Sequence, residues 1–182
     1  MQEIRMHGRG GQGLAIAAEM LVAAFVAEGK YASSFPMFGS ERRGAPVAAF
    51  LRFGDEPIRE KTQVYEPDCV VVFDPMWKNL KGVFDGLKEG SVVILNTTET
   101  LRDRLNPNVK KVGFVDATGI ALKRIGIPVP NTCMLGAFSA VTEWLSLQSV
   151  IRSFKEYFND KAFLANRSSS MDGFQQVKII EW

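Results

Sequence analysis

The sequence has a single histidine, His7, and only two cysteines, Cys69 and Cys133. With so few soft ligands and no CxxC, the chain supplies neither an iron–sulfur cluster nor a structural zinc site. Both cysteines stand in apolar runs ("PDCVVVFD", "NTCMLGAF") and are expected to be reduced core thiols. A large excess of one charge is missing too. A formal net charge of +2 excludes a general nucleic-acid binder and leaves electrostatic recognition to a local patch. No apolar run approaches the roughly 18 residues of a membrane helix, "MLVAAFVAEGK" being broken too early. No charged start, apolar middle and cleavage site mark a signal peptide. Neither membrane nor nucleic acid is therefore expected as a partner, and the expected location is the cytoplasm. No Ser–His–Asp set, metal-ligand cluster or close carboxylate pair can be assembled. The residues thus describe a chain that does not catalyse alone.

The 182 residues, 46% of them hydrophobic, suffice for one domain with a full core. Strand and helix patterns alternate along it. "EIRMH" (3–7) alternates in period two and reads as a strand, and "GQGLAIAAEMLVAAFVAEG" (11–29) as a helix rich in Ala, Leu and Met. "YASSF" (31–35) is a second short strand. "APVAAFLRFG" (45–54) is a third, expected to pair with "PIREKTQV" (57–64) across "GDEP". "DCVVVFD" (68–74) is an unbroken apolar run, as in a strand buried on both faces of a parallel sheet. A helix is expected at 75–90, started by Pro75 and stopped by Gly90. "SVVILN" (91–96) and "KKVGFVDA" (110–117) are further strands. Helices are expected at 118–126, at 131–147 as an element apolar nearly all round, and at 147–160 and 160–176. This rhythm predicts an α/β fold: a single Rossmann-like domain with a mainly parallel sheet, helices on both faces and a C-terminal helical extension. Its expected span is 1–182, with a core at 1–147 and the extension and tail at 148–182; the end, "GFQQVKIIEW", reads as an arm reaching a partner.

Two stretches carry chemistry. "HGRGGQG" (7–13) places Gly8, Gly10 and Gly13 as G-x-G-x-x-G between a strand and a helix. Glycine allows a close backbone approach, and the helix N-terminus offers free N–H groups to an anion. The alternative is a tight turn with no ligand. A dinucleotide site would want an acid at the tip of the second strand, about 20 residues on. "YASSFPMFG" has none, so a free-standing NAD(P)-dependent reductase is disfavoured. "SFPMFGSERRGAPV" (34–47) stands there instead, a loop carrying Arg42 and Arg43 among Phe, Pro and Gly. Adjacent guanidinium groups can fork onto phosphates; a solvated or interface loop with Glu41 paired to an arginine is the alternative. His7 is expected in a core or turn role, with proton transfer conceivable. Asp74 and Asp116 each end a strand and are expected as local caps or interface contacts. Asn131 is expected to cap the helix that follows it.

"IRMHGRGGQG", "GKYASSFPMFGSERRGAPV" and "PNTCMLGAFSAV" together resemble the gamma chain of 2-oxoacid:acceptor oxidoreductases, in particular that of pyruvate:ferredoxin oxidoreductase. The resemblance covers about residues 1–147. It implies a subunit of an anaerobic enzyme that oxidatively decarboxylates a 2-oxoacid, most simply pyruvate, to an acyl-CoA and CO2 and passes electrons to ferredoxin. It implies alpha, beta and ferredoxin-like delta subunits as partners. Thiamine diphosphate, Mg and [4Fe-4S] clusters lie on those partners and none on this chain. It further implies that this chain helps to bind coenzyme A and to close the active site. The coenzyme-facing residues would be Arg9, Gly10, Gly11, Gln12 and Gly13, with Ser40, Arg42, Arg43 and Asn131. The rival reading is a purely structural interaction subunit of a related complex, one acting on a branched-chain or aryl 2-oxoacid with NAD as acceptor.

Overall fold

In the computed structural model, residues 1–38 and 44–182 are described. The chain runs β1 (Gln2–Arg9), α1 (Leu14–Ala27), β2 (Tyr31–Phe38), β3 (Pro46–Gly54), β4 (Cys69–Val72), β5 (Ser91–Asn96), β6 (Val109–Val115), α2 (Ala117–Arg124), α3 (Asn131–Thr142), α4 (Leu147–Ser153), α5 (Asp160–Gln176) and β7 (Lys178–Glu181). The strands form one sheet in the order β2-β3-β1-β4-β5-β6-β7. β1, β4, β5 and β6 are mutually parallel. β3 runs antiparallel between β2 and β1, and β7 antiparallel along β6. β2, β1, β4, β5 and β6 therefore all point the same way, and the mainly parallel α/β fold expected from the sequence is the one observed. Among the described residues no helix is long and apolar enough to cross a membrane.

β4 shows why the centre is parallel. All four of its residues are buried, because a strand covered on both faces can carry an unbroken apolar run. Alternate side chains then feed two cores. Ile4, Met6, Cys69, Val71 and Ile94 pack under α1 and α3 with Leu21, Phe25 and Phe138. Val70, Val72, Val93 and Leu95 pack with Trp77, Val83, Leu87 and Leu101 on the other face.

That second face is roofed differently from expectation. The helix expected at 75–90 is a single 3-10 turn at Trp77–Asn79 followed by turns. Gly82 (φ 70°) and Gly86 (φ 68°) adopt the left-handed conformation, and a Cβ on Gly86 would lie 2.0 Å from the Tyr65 carbonyl oxygen. The buried Arg5 guanidinium donates to the carbonyls of Val64 (3.3 Å), Val83 (3.1 Å) and Asp85 (2.5 Å). Those last two are acceptors that a helix would need for itself. The hairpin expected between 45–54 and 57–64 is also absent. Arg52 holds the second segment instead, donating to the carbonyls of Thr62 (2.7 Å) and Gln63 (3.1 Å), while β3 pairs with β1 and β2.

The apolar helix stops at Thr142, where Glu143 takes a left-handed conformation (φ 56°), short of the expected 147. The expected helix at 147–160 is the shorter α4 with a 3-10 turn at Phe154–Glu156. α3 meets α5 at very close range. A Cβ on Gly136 would sit 1.9 Å from the Ser170 carbonyl oxygen, and one on Gly173 would sit 2.1 Å from that of Cys133. The tail is not an arm reaching outward. Residues 178–181 extend the sheet along β6, satisfying an edge that would otherwise be open.

Candidate ligand-binding site

β1 ends at Arg9 in a turn that its own groups close. The Gln12 side-chain oxygen accepts from the Arg9 N–H (2.7 Å), and the Gln12 N–H donates to the Arg9 carbonyl (3.2 Å). The Gly10 N–H donates to the Ala45 carbonyl (2.9 Å), tying the turn to the segment that enters β3. Gly11 (φ 95°) and Gly13 (φ 73°) are left-handed, which only glycine takes without strain. Gly13 is also the N-cap of α1, and no side chain caps that helix. The N–H groups of its first turn have no intrahelical partner and carry the positive end of the helix dipole.

α3 arrives at the same place. Its N-cap is Pro130, again without a side-chain cap. Asn131, expected as the cap, is instead the first helical residue. Its Oδ1 accepts from the adjacent Thr132 N–H (2.8 Å) and its side chain is pressed against Gly13. At 5% exposure its amide is nearly enclosed.

Between the two helix starts lies a cleft of about 490 Å³. Arg9, Gly10, Gly11, Gly13 and Asn131 form its polar end. The rest of the lining, which the sequence reading missed, is mostly apolar: Ile16 from α1, Ile125, Ile127 and Val129 from the α2–α3 connection, and Tyr157 and Phe158 after α4. Alternating apolar residues in "IGIPV" (125–129) were the available signal. Gln12 does not line the cleft; it supports the turn from behind. Ser40, Arg42 and Arg43 lie outside the described residues. Arg9, expected among the coenzyme-facing residues, makes an ion pair from Nε to Asp74 (2.6 Å) and donates from Nη1 to the Gly44 carbonyl (3.2 Å). Asp74 also accepts from the Met76 N–H (3.1 Å), and Asp116 caps α2 through the Gly119 N–H (2.8 Å), so both serve as local contacts.

His7 accepts at Nε2 from the Arg5 Nε–H (3.1 Å). Burial first, and the Arg5 charge second, lower its pKa to about 4. The imidazole is therefore neutral at physiological pH, far from the poise of a proton shuttle. Cys69 and Cys133 are buried free thiols; burial raises both, Cys133 to about 12. Among the described residues no three His, Cys, Asp or Glu side chains gather closely enough to hold a metal ion. The strand order also argues against a dinucleotide fold. There a parallel second strand lies beside the first, whereas here antiparallel β3 intervenes and β2 is the sheet's edge.

Residues 3–176 match the family model described as pyruvate ferredoxin/flavodoxin oxidoreductase. Among curated proteins, the common subunit gamma of the pyruvate/ketoisovalerate oxidoreductases of Thermococcus kodakarensis is 47% identical over 184 residues, covering all of both chains. Among solved structures, the pyruvate oxidoreductase subunit PORC of Thermotoga maritima superposes with a TM-score of 0.87 at 38% identity, covering 99% of this chain and 98% of that one. The 2-oxoglutarate:ferredoxin oxidoreductase of Magnetococcus marinus, solved with 2-oxoglutarate, coenzyme A and succinyl-CoA bound, shares the fold (TM-score 0.75, 18% identity) over 94% of this chain and 30% of that one.

Proposed function

We propose, from the premise that this chain belongs to the pyruvate ferredoxin/flavodoxin oxidoreductase family, that its glycine-turn cleft binds coenzyme A. The chain is a gamma-type subunit of a 2-oxoacid oxidoreductase complex. In that complex its own role is to seat the acyl acceptor and to help close the reaction chamber. The single observation that carries this is one cleft that brings together the uncapped start of α1, Asn131 at the start of α3 and an apolar lining. A diphosphate suits the polar end. Each helix terminus is worth roughly 0.3–1 kcal/mol to an anion, more when water is excluded. An adenine or a pantetheine chain suits the wall of Ile127, Val129, Tyr157 and Phe158. Coenzyme A bound in the Magnetococcus relative is in keeping with this chemistry.

Thiamine diphosphate, Mg and iron–sulfur clusters are assigned to the alpha, beta and delta subunits, with ferredoxin as acceptor. The choice of 2-oxoacid is assigned to those chains too. The Thermococcus relative is named as common to pyruvate and ketoisovalerate enzymes, as expected of a subunit that holds the shared acceptor and leaves the acid to others.

Ala15 lines the cleft in the first turn of α1. Ala15→Asp places a carboxylate where the helix dipole stabilises it by roughly 0.3–1 kcal/mol, so folding is retained while a diphosphate is repelled. In the reconstituted complex the KM for coenzyme A should rise about tenfold, the order of one lost charged hydrogen bond, with kcat held. An unchanged KM in an assembled complex overturns the assignment. Failure to assemble, read by gel filtration, favours the purely structural role.

A further inference from the structure

A second cleft, of about 610 Å³, lies on the other side of the sheet from α1. Its floor spans three strands: His7 of β1 is in register with Ala48 of β3, and Ala48 with Met37 of β2. His7 shares a face with Arg5, whose side chain reaches Val83 and Asp85 on the side away from α1. Asn79, Leu80 and Lys81 form the wall.

The hydrogen bonding fixes what this cleft can offer. Arg5 Nε can only donate, so His7 Nε2 must accept from it. The proton of the neutral imidazole then sits on Nδ1, which has no partner among the described residues. Arg9 reaches the rim with its charge matched by Asp74. Lys78 next to the wall is matched by Glu99. Lys81 makes no ion pair among the described residues. Among the described residues the cleft therefore holds one unmatched cation, one oriented neutral donor and an apolar floor.

We propose that this cleft binds a small monocarboxylate, its oxygens taking the His7 Nδ1–H and the Lys81 ammonium and its short apolar body lying over Met37 and Ala48. One unmatched positive charge suits a single negative charge. Among the described residues no helix N-terminus opens here, as one does at the glycine turn, and their donors are too few for a phosphate dianion. The assignment is independent of coenzyme A binding, since the residues that carry it do not line the first cleft.

The chain's one histidine makes the test direct. In the 182-residue chain with isotope-labelled histidine, the imidazole signals are followed by NMR at pH 7. Isobutyrate and inorganic phosphate are titrated separately. Isobutyrate should give a saturable shift at millimolar concentration. Lys81→Gln, at an exposed position, should weaken it about tenfold, as for a lost charged hydrogen bond. Ala48→Phe should block it by filling the floor. A saturable shift with these losses supports the site. The proposal is overturned by no saturable shift, by phosphate binding at least as tightly as isobutyrate, or by an affinity that both variants leave unchanged.

Discussion

Gly13 and Asn131 lock two helix starts together: a Cβ at position 13 would fall 2.5 Å from Asn131 Nδ2. Gly13→Ala therefore meets two separate penalties. The left-handed φ of 73° costs roughly 1–2 kcal/mol for a residue with a side chain, and the contact pushes α3 away from the turn. Urea unfolding should show a loss of about 2–4 kcal/mol. Adding Asn131→Ala should recover the steric part and leave the conformational part. If the double variant is no more stable than Gly13→Ala alone, the contact is not what sets the spacing of the helices.

His7 makes stability depend on pH. Its folded pKa of about 4 lies below the ordinary 6.5 of the unfolded chain. The unfolded state therefore binds the proton more readily. The stabilisation is complete above pH 6.5 and is lost as pH falls from there towards 4. The linkage is worth up to about 3 kcal/mol. A protonated imidazole also cannot accept from Arg5, whose other donors hold the 82–85 turns. Urea midpoints between pH 7 and 4 should fall steeply for the wild type. His7→Gln, which retains an acceptor, should flatten that part of the profile. An equally steep fall in the variant would move the effect to carboxylates.

What could be read from the sequence was what neighbours in the chain decide. The glycine turn, the buried β4 and the α1 pattern depend on residues within a few positions, and they formed as expected. The 75–90 segment has good helix punctuation, yet Arg5, some 80 residues away, takes its carbonyls. β3 passes over its neighbour at 57–64 and pairs with β1, while its Arg52 side chain takes up carbonyls of that segment. The apolar wall of the cleft is assembled from positions 16, 125–129 and 157–158. Such separated residues share no local signal; only the chain's return across the sheet brings them together.

The α3–α5 contact has no room for a methyl group. At Gly136 a Cβ would fall 1.9 Å from the Ser170 carbonyl, and rigid backbone cannot swing aside as a side-chain tip would. Gly136→Ala should cost about 3 kcal/mol or more, at the severe end of overpacking. Gly29→Ala is a useful contrast: its φ of 82° is strained, but nothing lies within 4 Å of the added carbon. It should cost roughly 1–2 kcal/mol. Equal losses for both, by thermal or urea unfolding, would show that backbone conformation and not helix spacing governs position 136.

Asp74 sets opposing demands on stability and ligand affinity. Its side chain is 4% exposed and takes the Arg9 Nε–H at 2.6 Å, while the Arg9 side chain is 33% exposed at the cleft's polar end. Removing the carboxylate in Asp74→Ala leaves the Met76 N–H without its acceptor and Arg9 without its counter-charge. Breaking such a pair should cost about 2–3 kcal/mol, tempered by the exposure of Arg9. The freed guanidinium, however, becomes available to an anion. If coenzyme A lies at the glycine turn, the variant should be less stable by urea unfolding yet bind the coenzyme more tightly by calorimetry in the assembled complex. Asp74→Asn, which keeps an acceptor for the Met76 N–H, should reproduce the affinity gain with a smaller loss of stability. A stability loss with unchanged or weaker coenzyme binding in both variants would mean that Arg9 holds the end of β1 in place and does not meet the phosphates.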